Sequence, residues 1–516
     1  TIDNVVGTLS NESEITTLSV QSEITQGILN SGNIQTLTLE SNADLGSVGV
    51  SNDGVITSLN NHKAGMQITN AQGIGTLAVY ANTTYVGAGS ITNALNVTGS
   101  STQFTINNGA SNTLTLAENA NTANSVKTIT NEGTIIGNLI NDLTRTDWTF
   151  GVLQGNFTNN GSLTAFNTGS IIGILTNGNN GIINTLNTSK VGGSIANNGN
   201  LVNLIVDSNK TLTGSGSITN SLVVEKNNGG NGYTLTIGSG GTGNLDFKAT
   251  NGTINNAGTI VGNITNVDGS TIADFTNSGS FNGDLTNNGS ITNFINSGNF
   301  TGDITNTAGD TISNFNNLGN ITGNITNEGI ITDFNNAGNI NGTLTNASNA
   351  NIGDFTNSGS IKEFNNEGLI AFFENKGTIT DFSGNGTIYG VLNSKVINGN
   401  FENVANALKN TGTISGNVEL VGQRGACNSS TICQLSGLWN EGTITGTFTN
   451  ADDKTINSVI NGSNSQTNIS AVLNNGIANS GTINQILNYS NGTINNGITN
   501  NTNANIESIT NQGTIN

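Results

Sequence analysis

Few residues in this 516-residue chain have the chemistry of a reactive site. His62 is the single histidine, and no serine or carboxylate stands at a catalytic spacing from it, so it reads as a surface residue. Asp274, Asp333, Asp354 and Asp381 form a spaced series, interrupted by Asn293 and Asn314. Brought into one row, such carboxylates would resemble the acid–base groups with which some parallel β-helices cut acidic polysaccharides. The series carries no lysine or arginine to hold an acidic sugar, and Asp and Asn exchange freely in it. An outward polar row accounts for it better. Asp284 and Asp303 offer the hard oxygen ligands that calcium takes, but no Gly-Gly-x-Gly-x-Asp series accompanies them. The run Ile237-Gly-Ser-Gly-Gly-Thr-Gly243 imitates a phosphate-binding loop and lacks the lysine that should follow. No catalytic, cofactor or metal residue is assigned, and the chain is read as a non-enzyme.

Two stretches break an otherwise repetitive sequence. Residues 141–155 hold Arg145, Trp148 and Phe150; residues 421–439 hold Arg424, Cys427, Cys433 and Trp439. Each has one of the two tryptophans and one of the two arginines. Irregular loops on a rigid scaffold are where recognition usually sits, although each tryptophan would equally serve to seal its loop. Cys427 and Cys433 would close a small disulfide loop in an oxidising compartment, or remain as free thiols.

Composition bounds what positions these residues. Hydrophobic residues make up 33% and charged residues 9%; there are 70 glycines, 99 asparagines and no proline. That is too little apolar volume for a thick globular core. Disorder normally brings charge or proline, which this chain lacks, so a thin repetitive fold remains. The net charge is −19, and the eleven lysines and two arginines are scattered. With no basic stripe to neutralise phosphates, nucleic acid is excluded as the expected partner. No apolar run is long enough to span a bilayer, and no basic-then-apolar signal opens the chain. Its last residues fall in mid-repeat, which is the expectation for a piece of a longer protein.

The repeat is clearest over residues 251–391. Turn glycines at Gly258, Gly269, Gly279, Gly289, Gly298, Gly309, Gly319, Gly329 and Gly338 alternate between two series, one spaced 21 and 19 and the other 20. One coil is therefore about twenty residues with two unlike halves. One half reads Gly-Asx-Leu/Ile-Thr-Asn. The other carries Phe275, Phe294, Phe315, Phe334 and Phe355, which would stack as an aromatic ladder in the core. Asn and Gly tolerate positive φ, so Asn-x-Gly is expected to bend the chain at each corner. Asn at successive corners can also hydrogen-bond along the axis through its amide. Alternating runs such as Gly-Thr-Ile-Thr read as strands, and the absence of proline suits a chain paired on both sides. The expected fold is all-β: a right-handed parallel β-solenoid of roughly 25 coils, on the order of 120 Å long at the usual strand spacing. Its expected parts are a less regular solenoid with longer loops (1–250), a highly regular one (251–391), an interrupted segment with the cysteine loop (392–439) and a regular continuation (440–516).

The recurring Ile-Thr-Asn-x-Gly-x-Ile units and Gly-Asn-Ile-Thr-Asn-Glu-Gly at 323–329 resemble the repeats of vacuolating-cytotoxin-like autotransporters of Gram-negative bacteria. The resemblance implies a right-handed β-helical passenger exported through an outer-membrane barrel. It further implies a secreted or surface-anchored location and a role in adhesion or host interaction. The apolar, glycine-zipper-like segment of a membrane-inserting module is missing. The expected partners are a host-cell or matrix surface. The alternative is a subunit that assembles with identical chains into an extracellular filament or layer; a polysaccharide-acting enzyme is the least favoured reading.

Overall fold

The computed structural model describes residues 4–516 except 109–111, 118–123, 146–149, 165–168, 227–228, 230–231, 423–435 and 467. It is a parallel β-solenoid with about twenty residues per coil, and two single-turn 3-10 segments are its only helical structure among the described residues. The chain divides into two compact units: Thr1–Asn227 with Tyr233–Leu245, and Asn228–Gly232 with Asp246–Asn516.

In the second unit a coil consists of three strands. Thr271–Asn277 is followed by Ser280–Asn282 and Leu285–Asn287, and the next coil opens with Ser290–Asn296. Apolar side chains alternate with polar ones in the long strand, so Ile272, Phe275 and Asn277 turn inward. Each strand pairs in parallel with its equivalent one coil on. The two unlike halves of the repeat are thus one seven-residue strand and two three-residue strands.

The alternation of 21 and 19 has a local cause. Asn266 and Thr271 are joined by four residues, Asn287 and Ser290 by two, Asn306 and Thr311 by four, and Asn327 and Ile330 by two. The longer turns close on themselves: the Ser270 amide donates to the Val267 carbonyl at 3.0 Å and the Asp310 amide to that of Thr307 at 3.1 Å. Long and short turns alternate up one corner, so the true structural period there is two coils.

Phe275, Phe294, Phe315, Phe334 and Phe355 are fully buried and stack with centroids 4.5–5.1 Å apart. Phe373 extends the stack by one coil, at 4.9 Å from Phe355. A second column holds Phe281 on Phe300 at 4.6 Å, and a third holds Phe382 on Phe401 at 4.5 Å. The first unit fills the equivalent space with aliphatics: Leu18, Leu37, Leu59, Leu77 and Leu95 lie in register, as do Ile15, Ile34, Ile56, Ile74 and Ile91.

The Asn-x-Gly corners bend for a different reason than expected. None of Gly279, Gly298, Gly319, Gly338 or Gly359 has positive φ, and neither do the asparagines before them. At Gly338 a Cβ would lie 2.0 Å from the carbonyl oxygen of Gly319, one coil below. Glycine is required there because consecutive coils nearly touch at that corner. Left-handed backbone occurs elsewhere, for example at Gly309 in a four-residue turn, where φ is +90°.

Candidate functional site

The asparagines are not turn residues but buried rungs. In the second unit one ladder runs through Asn256, Asn277, Asn296, Asn317, Asn336, Asn357, Asn375, Asn393, Asn410, Asn440, Asn461, Asn488 and Asn511. Each Nδ2 donates to the Oδ1 of the next rung at 2.7–3.0 Å. The same amides also reach backbone carbonyls, as Asn277 does to Asn299 at 3.0 Å. A buried amide would cost several kcal/mol unpaired, so this repeated satisfaction is what lets polar side chains fill the corners of a thin core.

A second ladder joins Asn266, Asn287, Asn306, Asn327, Asn346 and Asn366. It stops where the next coil places Gly384, the residue after Ser383, which pairs with Asn365. Leu420 stands in the same column opposite Asn450, and there the ladder resumes through Asn479 and Asn500. Donation always runs towards higher numbers, so a gap must strand a donor on one side and an acceptor on the other. The buried Nδ2 of Asn366 and Oδ1 of Asn450 are indeed without partners, as are the first acceptors of the two ladders, on Asn256 and Asn266.

In the first unit a ladder of Asn11, Asn30, Asn52 and Asn70 ends differently. Asn70 donates to the Tyr85 hydroxyl at 2.8 Å, and that hydroxyl in turn donates to the Gly89 carbonyl at 2.7 Å. Burial pushes the Tyr85 phenol up to about 12, only partly offset by the Asn70 bond, so it stays a neutral terminator.

The carboxylate series resolves into two rows. Asp274, Asn293, Asn314, Asp333 and Asp354 are in register, and the row continues into Phe372. Asp381 is not part of it; it lies in register with Glu363, which follows Thr343. The expectation that Asp381 joins the row fails because Asp381 belongs to the following strand of the coil, Thr378–Ser383, and that strand pairs with Ser360–Asn366. Within the first row Asn293 donates to Asp274 at 2.8 Å and Asn314 to Asn293 at 2.9 Å. Burial, and then the neighbouring Asp333, raises the Asp354 carboxyl above its usual range. Thr343 donates to Glu363 at 2.7 Å, which with Lys362 holds that carboxyl low.

Asp284 and Asp303 cap corners. Asp284 Oδ1 accepts the Asp303 amide at 2.8 Å, and Asp303 Oδ1 accepts the Asn324 amide at 2.7 Å. Asn263 and Asn324 do the same for their neighbours, so a neutral amide serves equally well at this position. No group of three or more metal-ligating side chains exists among the described residues. His62 is exposed and stacks on Tyr80 at 4.3 Å with rings 2° from parallel. The glycine-rich run forms a tight corner closed by the Gly243 amide on the Ile237 carbonyl at 2.9 Å.

Of the two irregular stretches, Trp148, Arg424, Cys427 and Cys433 lie outside the described residues. Arg145 ends a two-residue strand, and Phe150 opens the strand Phe150–Gln154. Trp439 sits in a regular strand, Gly437–Asn440, rather than in a loop. It pairs with Lys409, whose ammonium lies 4.1 Å from the ring centroid and 3.8 Å from Glu441.

The Asn-x-Gly corner becomes Asn393-Ser-Lys395, so Lys395 takes a glycine's place in the column. Beside that column runs a furrow of about 710 Å³, open to solvent, whose lining includes Leu318, Asn320, Ala337, Asn339, Lys376 and Lys395. Farther on, Asp381, Ser383, Asn400 and Glu402 line a smaller notch of about 370 Å³ at the interrupted coils. Burial, and then Glu402, raises the Glu419 carboxyl beside it.

Compared with protein-family models, with curated proteins and with solved structures, the chain matches none. No helix among the described residues is long and apolar enough to cross a membrane.

Proposed function

We propose that this chain is a stiff extracellular scaffold, the passenger or stalk of a Gram-negative surface protein, that acts by adhesion rather than catalysis. The observation that carries the reading is the unbroken ladder from Asn256 to Asn511. It ties every coil of that stretch to the next by a side-chain bond, buried at all but the last rung, in addition to backbone pairing. Such a core resists bending and local opening, which suits a display element more than a site that must close on a substrate. The outward side chains are short amides, hydroxyls and carboxylates, and the acidic balance keeps like chains apart. The sequence resemblance to autotransporter repeats supports this reading and is the reason for proposing a cell-surface location.

The test is display on the native host. Antibodies against the regular stretch should label intact cells, and external protease should remove that label. Labelling that appears only after lysis would sink the proposal. Beads coated with the purified chain should then adhere to host cells or matrix. Concentration-dependent fibres of the purified chain would favour the filament alternative.

A further inference from the structure

We propose that the glycine-floored furrow beside the Asn-x-Gly corners binds an extended, negatively charged polysaccharide. The furrow runs past Gly319, Gly338, Gly359 and Gly377, where no side chain can fill it because the coils nearly touch. Six successive coils contribute to it, from Ser297 to Lys395, over about 24 Å. One wall is a chain of ordered polar groups. Asn320 donates to Asn299 at 3.1 Å, Asn339 to Asn320 at 2.9 Å and Ser360 to Asn339 at 2.6 Å. Those bonds fix the amides in place and leave lone pairs and a second amide hydrogen for a ligand.

Charge selects the class of ligand. The chain carries 32 acidic residues against 13 basic ones, yet none of the furrow's lining residues is acidic. Two are lysines, both exposed and on adjacent coils at one end. Lys376 is paired with Glu374 at 2.8 Å, and Lys395 has no ion pair among the described residues. An anionic group finds there the unpaired Lys395 ammonium and hydrogen-bond donors, and it can share or displace the hold of Glu374 on Lys376.

Pitch separates a sugar chain from a peptide. Equivalent wall groups recur every coil, at about 4.8 Å, close to the length of one pyranose in an extended polysaccharide. An extended peptide advances about 3.4 Å per residue and drifts out of step with the wall within a few residues. The inference deepens the adhesive reading by naming a ligand class and rests on it only for its biological setting. Binding is measured on the purified chain, so its failure leaves surface display untouched.

Fluorescein-labelled hexagalacturonate is titrated with the whole chain, in parallel with a sulfated hexasaccharide, uncharged cellohexaose and hexaglutamate. Saturable, salt-sensitive binding of the acidic sugars is expected, with cellohexaose at least tenfold weaker. The hexagalacturonate and sulfated arms tell a carboxylated from a sulfated source. Lys376→Gln/Lys395→Gln should weaken binding at least tenfold, and Ala337→Trp, which fills the furrow from an exposed position, should do the same. Unchanged melting temperatures in both variants show that the coils are intact. The proposal is overturned by absence of binding at millimolar sugar, or by affinity unaffected in either variant. Hexaglutamate binding equally well with the same lysine dependence would overturn it too.

Discussion

The two asparagine ladders of the second unit start one corner apart and fare differently. One continues from Asn256 to Asn511, while the other stops at Asn366 and resumes at Asn450. Where both run, between residues 266 and 366, the pairings from Thr271–Asn277 up to Asn351–Asn357 keep register, and one shift occurs, between Asn339–Asn346 and Ser360–Asn366. Where only one runs, three pairings shift within a short stretch: Thr378–Ser383 with Val396–Gly399, Thr387–Asn393 with Phe401–Asn410, and Phe401–Asn410 with Val418–Leu420. Two columns of buried amides allow one axial register, since slipping by a residue would strand every rung. With one column gone, bulges cluster, and bulges re-aim outward side chains. The notch lined by Asp381 and Glu402 lies in this stretch. Regularity and potential for recognition therefore trade against each other along the same unit.

The largest test of the contrast is in the core. Phe334 stacks on Phe315 at 4.6 Å and on Phe355 at 5.1 Å, and it is fully buried in unshifted coils that cannot collapse. Phe334→Ala should cost about 3–5 kcal/mol. Phe382→Ala, in the shifted coils, should fall at or below the low end of that range because the bulged backbone can relax into the space. Urea unfolding of the two variants compares them directly, and equal costs would mean that the interrupted coils are as rigid as the rest.

The ladder gives a smaller and sharper comparison. Asn336→Leu leaves the side-chain oxygen of Asn357 unpaired and takes the axial bond from the Asn317 amide, which keeps only backbone carbonyls at 3.3 Å, for a total of about 1–3 kcal/mol. Asn366→Leu takes only the axial bond of the Asn346 amide, which keeps the Leu369 carbonyl at 3.2 Å, strands no acceptor, and at the same time removes a donor that is already orphaned. Its cost should be roughly half or less. Hydrogen exchange should show loss of protection spreading along neighbouring coils in Asn336→Leu and staying local in Asn366→Leu. The reverse order would mean that the Asn366 amide is engaged in solution.

Much of this arrangement is legible in residue spacing. Spacing alone places Phe275 through Phe355 in one column and separates the two halves of a coil. It predicts axial bonding of the asparagines but misassigns their backbone, because Asn-x-Gly is a strong turn signal whether the bend needs positive φ or merely space. Only the 2.0 Å approach at Gly338 distinguishes the two. The 21/19 alternation can be counted without its cause, since two-residue and four-residue turns look alike until strand ends are known. Asp381 is misplaced because spacing from Asp354 says nothing about which strand of a coil a residue enters. Phe373 escaped because Phe372 beside it blurs the pattern; one faces out and the other in.

The smallest effect is electrostatic, and it appears in both regions. Asp333 and Asp354 are in register on unshifted coils; Glu402 and Glu419 follow the paired residues Phe401 and Val418 in shifted ones. Asp354 faces Asp333 on one side and Phe372 on the other, while Glu374 on that second strand is held by Lys376. Burial raises the Asp354 and Glu419 carboxyls first, and the acidic neighbour adds to it in each case. A carboxyl raised by folding binds its proton more tightly in the folded chain. Its stabilising contribution is therefore complete below the unfolded value and is lost as pH rises through the folded one. Both groups are partly solvated, so each is worth less than about 1 kcal/mol after screening. Asp354→Asn and Glu419→Gln should each raise the unfolding midpoint slightly at pH 7 and flatten its dependence on pH from the carboxylate range to neutrality. If the pair on unshifted coils is held the more tightly, Asp354→Asn gives the larger gain, because the Glu402 and Glu419 side chains can swing apart on a bulged strand. A loss of stability at pH 7 in Asp354→Asn would show that the ionised carboxylate makes a favourable contact and would reverse the reading of the row.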